Sequence, residues 1–212
     1  PCAGKSNRFP NMKPKWMLTH PDGKLMIEKA LEGIDLKIFD RIIITIVKPH
    51  DEKYEAKLIL EQVFERNPKV EICVLNDFTE SASETVFLTL EKMKVEGSFV
   101  IKDSDNMVAV SIPANIRNSI VGYDLQEHKD ITNIPGKSFL VVNEQNIISD
   151  IIEKRIVSNI ICLGVYMFEN AEGFKNAYLE LKNKAISGEM YISHVISYML
   201  SKSNAVFEAI MA

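Results

Sequence analysis

Stretches of apolar residues alternate along this chain with segments of helical periodicity. This alternation limits the folds that the chain can adopt. The β-branched run Ile42–Val47 predicts a buried strand, and Val70–Leu75 and residues 98–102 predict two more. Between them, residues 54–67 and 84–94 repeat apolar side chains at helical spacing. Strands that alternate with helices predict an α/β fold with a mostly parallel sheet, in which ligands gather at the carboxyl ends of the strands.

The pattern changes after residue 105. Mixed or antiparallel additions to the sheet are predicted from extended segments at 107–112, 138–143, Ile147–Glu153 and Ile160–Phe168. Helices are predicted at 25–36, 174–185 and 191–201, with Gly188 as a breaker between the last two, and a loop is predicted at 48–51.

Length, charge and cysteine content restrict the class of protein. With 212 residues and 46% hydrophobic content, one domain over residues 1–212 is expected. The net charge of −4 argues against a nucleic-acid partner. No apolar run reaches the ~20 residues of a membrane span, and three cysteines among apolar or small residues indicate buried, reduced thiols. We therefore expect a cytoplasmic protein, cropped at its N-terminal strand because the chain opens inside a turn.

The first fifteen residues have the chemistry of a phosphate-binding loop. Ala3, Gly4 and Ser6 form a small-residue turn that lets backbone N–H groups approach a ligand. Arg8 can hold a phosphate with its planar fork, and Lys15 adds a mobile charge. A Walker A loop is excluded because no second glycine stands at the required spacing. The loop is expected to bind a nucleoside triphosphate.

Two carboxylates follow the third predicted strand. Asp103 and Asp105 lie two residues apart, so in an extended segment their side chains share a face. Mg²⁺ is usually held by one or two carboxylates together with substrate phosphates. The pair therefore predicts a Mg²⁺ site, with a solvated strand-end turn as the alternative from spacing alone.

In order along the chain, these residues resemble the sugar-phosphate nucleotidyltransferase (pyrophosphorylase) family. The opening A-G-x-S-x-R-F followed by P-K resembles that family's A-G-x-G-x-R … P-K loop, and its D-N pair matches Asp105-Asn106. Weaker matches are the base-recognition stretch at 78–85, the E-K-R-I-V-S-N segment at 153–159, G-V-Y-M-F at 164–168 and G-E-M-Y-I-S-H at 188–194. In the last segment His194 replaces the family's aspartate.

The resemblance implies a three-layer α/β/α fold with a mostly parallel mixed central sheet, as in nucleotide-diphospho-sugar transferases. It also implies roles for individual residues. These are catalysis for Arg8, Lys15 and Asp105; nucleotide binding for Ala3, Gly4, Lys5, Ser6, Ser81, Glu84 and Thr85; acceptor binding for Glu153, Lys154, Gly164 and Glu189; and metal binding for Asp103, Asp105 and His194.

The activity so implied joins a nucleoside triphosphate to a phosphorylated acceptor with release of pyrophosphate, using Mg²⁺ or Mn²⁺. The acceptor is a sugar 1-phosphate or another small phospho-metabolite, and capsule or surface polysaccharide synthesis is the implied setting. A homo-oligomer is possible. Two alternatives stay open: a metal-dependent glycosyltransferase with a nucleotide-sugar donor, and a regulatory protein that binds a nucleotide without catalysis.

Overall fold

A computed structural model describes residues 1–4, 12–127, 134–184 and 188–212. They form two compact units. The first unit comprises Pro1–Val95 and Asp103–Ala114, and the second comprises Glu96–Lys102 and Asn115–Ala212. Eight strands and six α-helices within the described residues confirm a mixed α/β fold. That the whole chain acts as one domain stays a prediction.

The first unit is built on a short parallel sheet. In chain order its elements are a 3-10 turn at Lys15–Met17, α1 (Met26–Glu32), a 3-10 turn at Leu36–Ile38, β1 (Ile42–Val47), α2 (Lys48–Tyr54), α3 (Ala56–Val63), β2 (Val70–Leu75) and α4 (Ala82–Lys92). Strands β1 and β2 pair in parallel from Ile42 opposite Val70 to Val47 opposite Leu75. One face of β1 packs on a cluster that includes Trp16.

Helix α2 replaces the loop that was predicted at 48–51, so that prediction is wrong. Pro49 lies in the first turn of α2, directly after β1. Proline is tolerated there because its missing N–H would have no partner within the helix at that position. The polar residues that suggested a loop therefore begin a helix at the carboxyl end of β1.

The second unit contains a six-stranded mixed sheet. Its elements are β3 (Phe99–Lys102), β4 (Ser119–Asp124), a 3-10 turn at Ile134–Gly136, β5 (Ser138–Val142), β6 (Ile147–Glu153), β7 (Ile160–Phe168), α5 (Ala171–Asn183), α6 (Ile192–Lys202) and β8 (Phe207–Met211). The strand order is β3-β7-β4-β8-β6-β5, and β5 also pairs with β7. Five strands therefore close into a ring.

Strand β7 closes the ring because two partners share one of its edges. Its C-terminal half pairs with β3, from Val165 to Phe168, while Ile160 and Ile161 pair with β5. Gly164 lies between these two stretches with φ of +71°, a conformation that glycine adopts without steric cost. The core beside this strand is aromatic, since Phe168 contacts both Phe174 and Phe207 edge-on.

The pairing corrects one part of the expected sheet. The strands of the first unit are parallel, as predicted, but β4–β8 is the one parallel pair described in the second unit and its other pairs are antiparallel. The mixed or antiparallel character predicted after residue 105 is confirmed, although residues 107–112 form no strand. The three-layer arrangement stays a prediction.

The cysteines and helices bear on two further expectations. Cys2, Cys73 and Cys162 are buried and free of disulfides, as predicted. None of the helices described is long and apolar enough to cross a membrane.

His50 is a buried polar residue of α2 in the first unit. It is 6% exposed, and its ring packs edge-on against Phe78 and close to Trp16. Its Nδ1 has no hydrogen-bond partner within the described part of the chain. Burial, and to a smaller extent the charge of Lys53, lowers the pKa of His50. Folding therefore favours the neutral form of His50.

We expect acid to destabilise the first unit through His50. Because folding lowers this pKa, the unfolded state binds the proton more tightly, so the free energy of unfolding falls as pH drops below about 6.5. His50→Phe should weaken that dependence and raise the free energy of unfolding by about 1 kcal/mol, since it removes an unpaired buried polar atom. Urea unfolding at about pH 7.5 and 5.5, followed by the fluorescence of Trp16, measures both effects. An unchanged pH dependence would contradict the assignment, and His20→Asn, at an exposed histidine, is the control.

Candidate functional site

The first residues of the chain lie along β1. The backbone N–H of Cys2 donates to the carbonyl of Thr45 at 2.9 Å. Cys2 and Ala3 are 5% and 1% exposed, and they belong to two different apolar clusters. The segment that leads into the predicted phosphate loop is therefore fixed against the sheet by both main-chain and side-chain contacts.

The loop before α4 is attached to the same segment. The carbonyl of Ala3 accepts hydrogen bonds from the backbone N–H of Thr79 at 3.3 Å and from its hydroxyl at 3.5 Å. The hydroxyls of Thr79 and Thr85 are 2.6 Å apart. Ser81 caps α4 by accepting from the N–H of Glu84 at 3.1 Å. The structure thus brings Ala3, Ser81, Glu84 and Thr85 into one region, with Thr79 as the link.

Ser81 and Thr85 use their hydroxyls inside the protein. Ser81 is 7% exposed and lies 3.0 Å from the hydroxyl of Ser83, while Thr85 is 2% exposed and donates to the carbonyl of Ser81. A ligand at this loop would therefore meet main-chain groups more readily than these hydroxyls. That this stretch recognises a base stays a prediction.

Lys15 and Asp105 form an ion pair in the first unit. The ammonium nitrogen of Lys15 lies 3.4 Å from Oδ2 of Asp105, and the two side chains are 39% and 48% exposed. Next to Asp105, the hydroxyl of Ser104 donates to the carbonyl of Pro1 at 3.3 Å. Two residues separated by 90 positions in the sequence therefore meet beside the N-terminal segment.

Gly33 anchors the segment that carries Asp103 and Asp105. Its carbonyl accepts from the N–H of Val110 at 3.0 Å. A Cβ built at Gly33 would lie 2.0 Å from the carbonyl oxygen of Val108, which is backbone and can yield only if the chain moves. Glycine is therefore required here for the close approach of two chain segments.

Three predicted residues, Lys5, Ser6 and Arg8, lie outside the described residues. Gly4 is exposed, and a Cβ at Gly4 would meet no described atom within 4 Å. The start of the predicted phosphate loop therefore leaves its main chain accessible.

In the second unit, Glu153 at the end of β6 accepts two serine hydrogen bonds. The hydroxyls of Ser138 and Ser193 lie 2.5 Å and 2.7 Å from its Oε2. Ser138 begins β5 and Ser193 lies in the first turn of α6, so one carboxylate oxygen joins three elements. This fixes the point at which the chain turns out of the sheet.

Lys154 follows in an uncommon conformation. Its φ is +54°, in the left-handed region, and its N–H donates to the carbonyl of Lys137 at 3.0 Å. The ammonium group donates to the hydroxyl of Tyr191 and lies 4.0 Å from the centre of the Tyr191 ring. A non-glycine residue in this region costs roughly 1–3 kcal/mol, so the surrounding contacts must hold it there.

His194 is oriented by Tyr191. Its Nδ1 accepts from the N–H of Tyr191 at 3.3 Å, and the two rings meet at 66° with centres 5.5 Å apart. A ring nitrogen that accepts a hydrogen bond carries no proton, so the neutral ring carries its proton on Nε2. Nε2 is then a hydrogen-bond donor with no lone pair for a metal. The metal role of His194 stays a prediction, and this geometry disfavours it.

The other two residues predicted to bind the acceptor take no part in these contacts. Gly164 lies inside β7, where its N–H contacts Sγ of Cys162 at 3.3 Å. Glu189 is exposed in the short segment before α6. Of the four residues predicted to bind the acceptor, only Glu153 and Lys154 take part in the contacts described above for the second unit.

Comparison with solved structures identifies the fold. A nucleoside-diphosphate-sugar pyrophosphorylase from Vibrio cholerae RC9 matches with a TM-score of 0.77 at 19% identity, covering 99% of this chain and 89% of that chain. An inositol-1-phosphate CTP transferase from T. maritima matches with a TM-score of 0.70 at 15% identity, covering 99% and 82%. A UDP-glucose pyrophosphorylase complexed with UDP-glucose has a TM-score of 0.63 at 16% identity, covering 99% and 88%.

No protein-family model matches the sequence, and no curated protein matches it. At these identities the structural likeness establishes the fold alone: the chain shares the fold of these two pyrophosphorylases and of the CTP transferase.

Sequence patterns missed several residues that shape the candidate site. Gly33 and Thr79 act through tertiary contacts that leave no local pattern. Tyr191 and Ser193 lie inside the G-E-M-Y-I-S-H segment, but the comparison with the family drew attention to its glycine, glutamate and final position. Within this segment, the hydroxyl of Ser193 was the one sequence signal available for these residues.

We expect Gly33→Ala to destabilise the first unit by roughly 1–3 kcal/mol, because the new Cβ would displace the backbone at Val108. Thermal unfolding followed by circular dichroism measures the change. Gly173→Ala in α5 is the matched control: its Cβ would meet only the end of Met199 at 3.8 Å, so it should be neutral or stabilising by up to about 1 kcal/mol. Equal stability of Gly33→Ala and the parent would contradict the assigned close approach.

The proton position on His194 can be read by NMR. We expect the ring nitrogens of His194 to show the Nε2–H form and to keep their shifts when Mg²⁺ is added. His194→Gln identifies the signals among the four histidines. An Nδ1–H form, or a shift that follows the Mg²⁺ concentration, would support the metal role instead.

Proposed function

We propose that this chain is a nucleotidyltransferase that joins a nucleoside triphosphate to a phosphorylated small-molecule acceptor and releases pyrophosphate. The observation that carries the proposal is the Lys15–Asp105 ion pair beside the buried N-terminal segment, in a chain with the nucleotidyltransferase fold. The three-layer arrangement implied by the resemblance belongs to the same proposal.

The first unit would bind the nucleotide. The accessible main chain at Gly4 and the loop capped by Ser81 offer backbone groups to phosphate and base. Lys15, with Arg8 from the preceding loop, would hold the triphosphate and offset the charge that develops as pyrophosphate leaves. Exposed ion pairs contribute little to stability. Little free energy is therefore lost when Lys15 leaves Asp105 to bind a phosphate.

The donor set of the first unit fits Mg²⁺. Asp105 uses Oδ2 for Lys15, and Asp103 lies two residues away. Mg²⁺ is usually held by one or two carboxylates together with substrate phosphates, so these two aspartates would suffice on the protein side. Asp103 and Asp105 would hold Mg²⁺, which when bound would offset the charge of the substrate phosphates.

The second unit would bind the acceptor. Lys154 carries a positive charge with no carboxylate beside it among the described residues, so it can receive a phosphate. The oxygen of that phosphate would attack the α-phosphorus of the nucleotide, and pyrophosphate would leave. No protein nucleophile is required. The activity depends on positioning and charge.

The solved structures that share the fold include a nucleoside-diphosphate-sugar pyrophosphorylase and an inositol-1-phosphate CTP transferase. A sugar phosphate or a polyol phosphate is therefore the first class of acceptor to test. A cytoplasmic setting in capsule or surface polysaccharide synthesis belongs to the proposal by resemblance. The proposal also includes a small-molecule partner rather than a nucleic acid, and the net charge of −4 supports this choice.

The experiment that tests the proposal measures pyrophosphate release with Mg²⁺ across CTP, UTP, dTTP and GTP. Each nucleotide is paired with a panel of phosphorylated sugars, polyols and small phospho-metabolites. Release that requires both partners supports nucleotidyl transfer and names the substrates. Transfer from a nucleotide sugar without pyrophosphate release would instead establish a glycosyltransferase, and binding without turnover would establish a nucleotide-binding regulator.

Lys15→Ala tests the assignment within the first unit. We expect it to lower kcat/KM by ~10²-fold or more, because a cation at the developing charge is lost. Lys13→Ala is the matched control, since Lys13 is exposed in the same segment and makes no described ion pair. Turnover of Lys15→Ala within a few-fold of the parent would overturn the role of Lys15.

A further inference from the structure

Tyr191 makes an unusual set of contacts with Lys154 in the second unit. Its hydroxyl oxygen accepts a hydrogen bond from the ammonium group, and its ring lies under the same group. The backbone N–H and ring of Tyr191 are held in turn by His194. Both the position and the orientation of the phenol are therefore fixed by described contacts.

The hydrogen of the Tyr191 hydroxyl has no acceptor among the described residues. An ammonium group can only donate, so the phenol oxygen is the acceptor in this pair and its own O–H stays available. Donation by a cation to the phenol oxygen polarises the O–H bond and strengthens it as a donor. Tyr191 is thus prepared to donate to an anion that approaches Lys154.

The charge around Lys154 favours such an anion. No carboxylate among the described residues lies within ion-pair distance of its ammonium group, whereas Lys15 in the first unit is paired with Asp105. The nearest described acid in the sequence, Glu153, directs Oε2 at two serine hydroxyls. Lys154 and Tyr191 therefore present one positive charge and two donors.

We propose that Tyr191 is a phosphate-binding residue, which donates its hydroxyl hydrogen to the same phosphate that Lys154 binds. The ligand is a phosphate monoester dianion, and Tyr191 and Lys154 hold two of its oxygens. This inference rests on the proposed function, because that phosphate belongs to the acceptor. The sequence resemblance assigns no role to Tyr191.

Binding of inorganic phosphate tests the inference without turnover. In protein labelled at the tyrosine Cζ carbons, phosphate should shift the Tyr191 signal in a saturable way, and Tyr191→Phe identifies that signal among the six tyrosines. Tyr198 is the internal control, since Lys184 lies 4.6 Å from the centre of its ring. Equal shifts of Tyr191 and Tyr198, or none, would overturn the proposal even if the enzyme is active.

Kinetics with the acceptor found above give the second test. Tyr191→Phe keeps the ring but loses the O–H, so KM for the acceptor should rise roughly 10- to 100-fold, as expected for a hydrogen bond to a charged group. The kcat should stay within about two-fold, since the contact exists before and during transfer. Tyr198→Phe should change neither value.

A double-mutant comparison separates direct contact from an effect through Lys154. If the hydroxyl touches the phosphate, Tyr191→Phe should still lower kcat/KM several-fold in the Lys154→Met background. Absence of any further loss in that background would show that Tyr191 acts only by placing Lys154, and would overturn the proposal. Melting temperatures of all variants show that they fold. If phosphate shifts the Tyr191 signal in the parent protein but no acceptor is turned over, the proposed function fails while phosphate binding by Tyr191 stands.

Discussion

The main-chain hydrogen bonds of residues 1–3 hold the candidate site of the first unit together. Cys2 donates to β1, Ala3 accepts from Thr79, and Pro1 accepts from Ser104. Cys2 and Ala3 are buried, and buried backbone polar groups need partners, so the contacts of these two residues constrain the chain. Segments far apart in sequence thereby meet along one short stretch. The placement of Lys15 beside Asp105 depends on it, because the segment that carries Asp105 reaches the N-terminus through Ser104.

In the second unit, the carboxylate of Glu153 holds the candidate site together. Glu153 accepts from serines on β5 and α6, so the end of β6 is tied to both elements. The next residue, Lys154, adopts a left-handed conformation that costs free energy in isolation. The hydrogen bonds around Glu153 offset that cost and present Lys154 to Tyr191. Glu153 therefore supports the candidate site through structure, and its direct contact with the acceptor, which the resemblance implies, stays a prediction.

The sequence predicted continuous strands well and interrupted ones poorly. The bounds of β1, β2, β6 and β7 agree with the structure, because β-branched runs signal strands locally. Strand β4 was missed because Gly122 interrupts it, and β8 was missed because its short alternation is weak. For the site, charged residues at family spacing were found, and Lys15 does meet Asp105. Gly33, Thr79 and Tyr191 could not be found, since their roles depend on tertiary neighbours.

The two candidate cations differ in their partners, and this difference matches the charge of the ligands that we propose for them. Lys15 shares its charge with Asp105, so the pair is close to neutral. A neutral pair that can open suits a triphosphate bound with a divalent ion, because the carboxylate can turn to the metal while the ammonium turns to phosphate. Lys154 instead rests on a phenol, which lowers none of its net charge. An uncompensated cation with a polarised hydroxyl suits a phosphate dianion without metal. The partner of each lysine, more than the lysine itself, therefore distinguishes the two proposed phosphate sites.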